Sequence, residues 1–101
     1  MIVIERMIQH IYPGKWAELE TLDKKYNAVE TRLGFPVKKR YQLLMGSHPM
    51  GTLIIERQWP SLAAMEAANE KGLADREYLS LQQESAPFIK STHWELYMPM
   101  P

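Results

Sequence analysis

The chain has 101 residues, of which 46% are hydrophobic and 24% charged, and its twelve basic residues are balanced by twelve acidic ones. This length and composition favour one globular domain over residues 1–101. The formal net charge of zero offers no broad attraction to nucleic acid or to an anionic membrane, so we expect neither as a partner. The lack of cysteine excludes disulfides and thiolate chemistry. No signal peptide or membrane-spanning run is recognisable, which favours a cytoplasmic protein.

The first half of the chain predicts a strand, a long helix and a second strand. The β-branched and apolar residues at 2–12 are typical of a strand. From Lys15, apolar residues recur in steps of three and four, which places them on one side of a helix. The residues of this stripe are Trp16, Leu19, Leu22, Tyr26, Val29 and Leu33. Gly34 ends the helix, because glycine accepts the left-handed conformation of a helix end and Pro36 cannot continue it.

The second half predicts a hairpin, a helix broken in two and a last strand. Two alternating segments are joined by a turn with a glycine at each end, and this pattern indicates the hairpin. Ser61 is a suitable N-cap for the first part of the broken helix, and Gly72 is expected to close it. The predicted ranges are 37–45 and 52–59 for the hairpin strands, 61–72 and about 74–85 for the helices, 89–98 for the last strand and 98–101 for a tail.

This β-α-β-β-α-β order predicts an α+β fold, a ferredoxin-like sandwich with a four-stranded antiparallel sheet and both helices on one side. We expect right-handed crossovers to place the first and third strands in the middle as parallel neighbours.

Alternation along the strands divides the side chains between two predicted sheet faces. The face predicted to meet the helices carries Ile2, Ile4, Ile8, Tyr41, Leu43, Met45, Leu53, Ile55, Trp59, Trp94, Leu96 and Met98. The opposite face carries Val3, Glu5, Met7, Gln9, Arg40, Gln42, Leu44, Ile54, Glu56, His93, Glu95 and Tyr97. This second face mixes polar and apolar residues, and a second copy of the sheet would cover its apolar part. We therefore expect a homodimer.

A short repeat, Ile4-Glu5-Arg6 and Ile55-Glu56-Arg57, sets expectations for charge pairing. Parallel central strands would bring Glu5 near Glu56. One hairpin register would place Arg40 directly opposite Glu56, and a register shifted by two residues would leave the two residues diagonal but within reach. Both Arg6 and Arg57 would then point toward the helices. Their partners there would be the helix carboxylates Glu18, Glu30 or Glu66.

The chain also resembles a known family. The strand Ile4-Glu5-Arg6, the Pro13-Gly14-Lys15 turn, the segment Trp59-x-Ser61-Leu62-Ala63 and the Pro87 before a strand with Glu95-Leu96 are similar to those of NIPSNAP-type proteins. The segment after Gly72 departs from the pattern of that family, since it lacks the usual tryptophan. The resemblance implies a dimeric α+β barrel, in which two ferredoxin-like sheets enclose a cavity. The same superfamily includes cofactor-independent monooxygenases and haem-degrading enzymes, but it assigns no catalytic residue here.

We interpret the mixed face as a site for a small organic molecule between the two sheets, without a cofactor. If the protein is catalytic, the resemblance implies an enzyme similar to the cofactor-independent monooxygenases. The proposed ligand-binding residues are Glu5, Gln9, Arg40, Gln42, Glu56, His93, Glu95 and Tyr97. His93 and Glu56 are the candidates for catalysis, because burial among like charges can bring a carboxylate into the range of a general base and histidine titrates near neutrality. The alternative is a non-catalytic interaction module whose polar network only fixes the dimer.

Two other binding functions receive little support from the sequence. His93, Glu95 and Glu56 have suitable atoms for a metal, but their spacing is not diagnostic, and we expect no metal site. The run Lys38-Lys39-Arg40 alternates across a strand and does not form one basic face for RNA.

Overall fold

The structure, a computed structural model, describes residues 1–101 as one four-stranded sheet with helices on one side. In chain order the elements are β1 (Val3–Ile11), α1 (Trp16–Leu33), β2 (Lys38–Gln42), β3 (Thr52–Trp59), α2 (Leu62–Leu73), α3 (Arg76–Ser85) and β4 (Ile89–Tyr97), with a 3-10 turn at Ala86–Phe88. The ferredoxin-like class and the broken second helix are thus confirmed. None of the helices combines the length and the apolarity that crossing a membrane requires.

The sheet has the order β2-β3-β1-β4 and every neighbouring pair is antiparallel. The expectation that β1 and β3 are parallel is wrong. The crossover through α1 makes β1 parallel to β2, but β3 lies between these two strands. Because the hairpin reverses the chain between β2 and β3, β3 also runs against β1.

The helix ends follow the local sequence, with one exception. Gly34 ends α1 at a φ of 83°, and the hydroxyl of Ser61 accepts the amide hydrogen of Ala64 at 3.0 Å at the start of α2. Gly72 does not close α2, which continues to Leu73. A Cβ on Gly72 would lie only 3.2 Å from the ring of Tyr78, so glycine at this position allows α2 to approach α3.

The connection between β2 and β3 is longer than predicted. β2 ends at Gln42, and the side chains of Leu44 and Met45 are each 89% exposed. The hydroxyl of Thr52 donates to the carbonyl of Pro49 at 2.6 Å and fixes the end of this loop. The predicted places of Leu43, Leu44 and Met45 on the sheet faces are therefore wrong.

The inner face of the sheet is the one that meets the helices. Its residues are Val3, Glu5, Met7, Gln9, Ile11, Lys38, Arg40, Gln42, Leu53, Ile55, Arg57, Trp59, Thr92, Trp94 and Leu96. On the outer face lie Ile4, Arg6, Ile8, His10, Lys39, Tyr41, Thr52, Ile54, Glu56, Gln58, Ser91, His93, Glu95 and Tyr97. The predicted division holds for β3 and β4 and is inverted for β1 and β2.

The core lies between the inner face and the helices. Trp59, only 2% exposed, packs with Val3 and with Phe35, Met65 and Ala68. A second group joins Ile11, Leu19, Leu53 and Ile55, and a third joins Leu22, Val29 and Leu81 between the helices. Burying these apolar side chains supplies the main driving force for docking the helices on the sheet.

The two copies of the Ile-Glu-Arg repeat pair with each other. In the antiparallel register Arg6 lies opposite Glu56 and Glu5 lies opposite Arg57. The first pair is on the outer face and the second on the inner face. The expected proximity of Glu5 to Glu56 is therefore wrong, and so is the pairing of Arg40 with Glu56, because Arg40 lies opposite Ile55.

Candidate functional site

A cleft of about 700 Å³ lies between the inner face and the helices. Its volume falls within the range that small-molecule sites usually have. The residues that define its walls are Glu5, Met7, Tyr26, Glu30, Lys38, Ile55, Arg57, Tyr78, Trp94 and Leu96. Its charged groups come from α1, β2 and the two central strands, whereas β4 contributes Trp94 and Leu96 together with the uncharged Thr92.

The polar end of the cleft is a buried ion cluster centred on Glu30. One carboxylate oxygen of Glu30 lies 3.0 Å from Nζ of Lys38 and the other lies 2.6 Å from Nη2 of Arg57. Nζ of Lys38 is also 2.6 Å from a carboxylate oxygen of Asp23. The side chains of Lys38 and Arg57 are each 8% exposed, so their charges depend on these carboxylates for compensation. Arg57 was expected to pair with a helix carboxylate, with Glu18, Glu30 and Glu66 as the alternatives, and the structure shows that the partner is Glu30.

Arg40 continues this ion cluster toward the protein surface. Its guanidinium binds both carboxylate oxygens of Glu20, at 3.0 and 2.6 Å, and lies 3.4 Å from Asp23. The hydrogen bonds with Glu20 raise the pKa of Arg40, and the same bonds lower the pKa of Glu20. Arg40 therefore remains charged, and α1 stays tied to the edge strand β2.

Two tyrosines form the helix side of the cleft. The hydroxyl groups of Tyr26 and Ser85 are hydrogen-bonded at 2.9 Å, and the ring of Tyr26 meets that of Tyr78 edge to face. Burial raises the pKa of Tyr26 to about 12, and burial likewise raises the pKa of Tyr78. Both phenols are neutral near pH 7. The hydroxyl of Ser85 donates to the carbonyl of Gln82 at 3.2 Å, so the proton of Tyr26 is directed to Ser85, and Tyr78 is the phenol that can donate to a ligand.

The sheet side of the cleft combines a carboxylate with apolar residues. Glu5 accepts a hydrogen bond from the indole nitrogen of Trp59 at 3.0 Å, which holds its carboxylate at the cleft wall. Toward β4, the side chains of Trp94 and Leu96 are 62% and 50% exposed although they lie on the inner face. The helices thus leave the β4 side uncovered, and the cleft opens there.

The structure separates the eight predicted ligand-binding residues into two groups. Glu5, Gln9 and Arg40 line the cleft, and Gln42 borders a shallower groove of about 410 Å³ beside it. Glu56, His93, Glu95 and Tyr97 lie on the outer face. The predicted set is therefore not brought together in one place.

The outer face carries its own polar network. Arg6 donates to Glu56 at 2.9 Å and its guanidinium lies over the ring of Tyr97. The hydroxyl of Tyr97 donates to Glu95, and this hydrogen bond raises the pKa of the phenol. Arg6 was expected to point toward the helices, and that expectation is wrong.

Sequence reasoning did not assign to the binding site the acidic and phenolic residues that the helices contribute. Glu30 was expected only as a possible partner of Arg6 or Arg57, and Tyr26 only as part of the apolar stripe of α1. Asp23 and Glu30 are seven residues apart, at the border of the predicted apolar stripe of α1. Two carboxylates at this spacing lie on the same side of a helix, next to the buried stripe. This position was the available signal that both would be close to cations of the sheet.

Comparison with solved structures identifies the fold. A NIPSNAP family protein from Agrobacterium tumefaciens superposes with a TM-score of 0.83 at 19% identity, covering 99% of this chain and 94% of that protein. A NIPSNAP domain protein from Burkholderia xenovorans has a TM-score of 0.83 at 12% identity, covering 97% and 94%. A variant of SnoaB, a cofactor-independent oxygenase from Streptomyces nogalater, has a TM-score of 0.70 at 16% identity, covering 99% and 94%.

No family model and no curated protein sequence matches this chain. The chain therefore has the fold that the NIPSNAP family proteins share with the cofactor-independent oxygenase. This confirms, at the level of the fold, the resemblance stated from the sequence.

Proposed function

We propose that this protein, a NIPSNAP-type fold by its structural likeness, binds a small organic molecule in the cleft between its sheet and its helices. The observation that carries the proposal is the cleft itself: about 700 Å³, with an apolar part that opens at Trp94 and Leu96 and a polar end at Glu30, Lys38 and Arg57. A site of this kind holds the apolar body of a ligand and orients it through a few polar groups. The ligand would then lie within one chain, between the sheet and the helices, and not in the predicted space between two sheets.

The ligand chemistry follows from the groups that face the cleft. The neutral phenol of Tyr78 is a donor, the hydroxyl oxygen of Tyr26 can accept, and Glu5 is an acceptor that approaches from the sheet. The cations of the cluster are compensated by carboxylates, so a strongly anionic ligand has no unbalanced positive charge to meet. We therefore expect a largely apolar molecule that carries a hydroxyl or carbonyl group. We assign it no reaction, since the catalytic candidates His93 and Glu56 lie outside the cleft.

Binding in the cleft can be tested with the neutral fluorescent probe 6-propionyl-2-(dimethylamino)naphthalene, which has an apolar body of suitable size and one carbonyl group. We expect saturable emission with the wild type and its loss in Leu96→Trp, because the indole would fill the mouth of the cleft. Tyr97→Trp is the matched control, since Tyr97 is the next residue and points to the outer face. Circular dichroism checks that both variants are folded. Equal binding by both variants would place the probe elsewhere and contradict the proposal.

We also propose that the outer faces of two copies pack together as a homodimeric α+β barrel in the cytoplasm. Support comes from the apolar side chains of Ile4, Tyr41 and Ile54 on this face, which helices do not cover. A non-catalytic module that uses this face only to fix the dimer is the competing function. We expect native mass spectrometry to show a dimer, and Ile54→Glu to dissociate it while the chain stays folded. A wild-type monomer at micromolar concentration would overturn the proposed homodimer.

A further inference from the structure

The ion cluster beside the cleft is balanced by itself and leaves one carboxylate of the cleft over. It contains three cations and three carboxylates, and each cation pairs with at least one carboxylate of α1. The members are Lys38, Arg40, Arg57, Glu20, Asp23 and Glu30. Glu5 lines the same cleft but forms no ion pair. The cleft therefore carries one negative charge that the chain does not compensate.

The cation opposite Glu5 is directed away from it. Arg57 is the partner of Glu5 in the register of β1 and β3. Its Nη2, however, lies 2.6 Å from Glu30, and its Nε donates to the carbonyl of Pro36 at 3.3 Å. One oxygen of Glu5 accepts from the indole of Trp59, and the other has no partner within the chain. A carboxylate with a free oxygen and no counter-charge is suited to a cationic hydrogen-bond donor.

Glu5 is also close to the opening of the cleft and to aromatic side chains. Its partner in the register of β1 and β4 is Leu96, and Trp94 lies two residues away on the same face. Both of these side chains are exposed, so a ligand that enters between β4 and the helices reaches Glu5. Burial is the largest cause of the raised pKa of Tyr78, and the negative charge of Glu5 adds to it, so this phenol faces the same part of the cleft. Aromatic faces attract organic cations.

We propose that the ligand of this cleft carries one protonated amino group on its apolar body and that Glu5 binds this group. The inference rests on the proposed function, because it assigns a charge to the ligand of the same cleft. The ammonium group donates to the free oxygen of Glu5, while the apolar body lies against Trp94 and Leu96. Tyr78 donates to a hydroxyl or carbonyl elsewhere on the ligand. The same carboxylate repels anions, which sharpens the selectivity of the cleft.

The test compares two ligands of nearly the same shape, 1-naphthylmethylamine, which is protonated near pH 7, and the neutral 1-naphthylmethanol. The affinity of each is measured by displacement of 6-propionyl-2-(dimethylamino)naphthalene. We expect the amine to bind the wild type at least about tenfold more tightly at low salt, because a hydrogen bond between charged groups is stronger than a neutral one. Added salt should reduce this preference. Since water solvates an ammonium more strongly than a hydroxyl, a preference for the amine requires a negative partner in the cleft.

Glu5→Gln should lower the ratio of the two affinities to about one or below, while the affinity for the alcohol stays within about threefold of the wild type. The amide oxygen of glutamine can still accept from Trp59, so we expect this variant to fold. Glu18→Gln is the matched control, because Glu18 is exposed on α1 and does not line the cleft. The control variant should keep the preference for the amine.

The outcomes separate this inference from the proposed function. If the wild type binds the probe but binds the amine no more tightly than the alcohol, the charge of the ligand is wrong and the cleft remains a binding site. If the wild type binds neither the probe nor the two ligands, both proposals are overturned. A preference for the amine that persists in Glu5→Gln would overturn the role of Glu5. The comparison of the two ligands with the wild type needs no variant, so it decides the matter even if Glu5→Gln fails to fold.

Discussion

Each face of the sheet carries an arginine paired with a glutamate, but the two ion pairs differ in their exposure to water. On the inner face, Lys38 and Arg57 are almost fully buried and depend on Glu30. On the outer face, Arg6 and Glu56 form an ion pair of similar geometry, but their side chains remain 40% and 24% exposed. We therefore expect the contribution of each ion pair to stability to depend on its access to water rather than on the distance between its charged atoms.

The sharpest test of this comparison is to remove one carboxylate from each face. Glu30→Ala leaves Arg57 buried without a carboxylate and Lys38 with Asp23 alone, and we expect it to lower the free energy of unfolding by about 3–5 kcal/mol. Glu56→Ala leaves Arg6 partly in water, and we expect a loss below about 1 kcal/mol. Urea unfolding of the two variants measures both. Equal losses would show that the inner cluster is solvated and that the comparison fails.

A second test compares two tryptophans that share the inner face. Trp59 is buried and donates to Glu5, so Trp59→Phe removes that bond and leaves a small cavity; we expect a loss of about 1–3 kcal/mol. Trp94 is mostly exposed at the mouth of the cleft, and Trp94→Phe should change stability by less than about 0.5 kcal/mol. Thermal unfolding measures both. A large loss at Trp94 would mean that the mouth of the cleft is covered in solution.

The smallest effect concerns the two tyrosines whose pKa is raised for different reasons. Tyr26 has its pKa raised to about 12, mainly by burial, and Tyr97 has its pKa raised mainly by the hydrogen bond with Glu95. In a spectrophotometric titration, Glu95→Gln should return the pKa of Tyr97 toward its ordinary value of 10.0 and leave that of Tyr26 unchanged. A change in the pKa of Tyr26 in this variant would show that the two sides of the sheet are electrostatically coupled, which would contradict the comparison.

The raised pKa of Tyr26 also predicts how the free energy of unfolding depends on pH in the alkaline range. The folded-state pKa of Tyr26 is raised above its ordinary value of 10.0, so the unfolded chain loses this proton first. The contribution of Tyr26 is therefore complete below pH 10 and is lost as the pH rises toward 12. Tyr26→Phe should make the decline in stability over this window less steep, which denaturant unfolding at several pH values would show.

Most of the fold was predictable because its signals are local. The apolar stripe of α1, the glycine at its end and the serine cap of α2 each act within a few residues, and each is found where predicted. The candidate site was only partly predictable. Glu5, Gln9 and Arg40 reach the cleft, but Tyr26, Lys38 and Tyr78 join it only because distant elements pack together.

The sequence by itself determined the order of the elements, the ends of most helices and the pairs of residues that share a side of each strand. Only the tertiary structure decided which side of β1 and β2 meets the helices. The physical reason is that alternation has a period of two and is unchanged when a strand is turned over. In β1 both sides carry apolar residues, so hydrophobicity does not distinguish them. In β2 the side toward the helices carries Lys38 and Arg40, and their carboxylate partners on α1, rather than hydrophobicity, decided which side is buried.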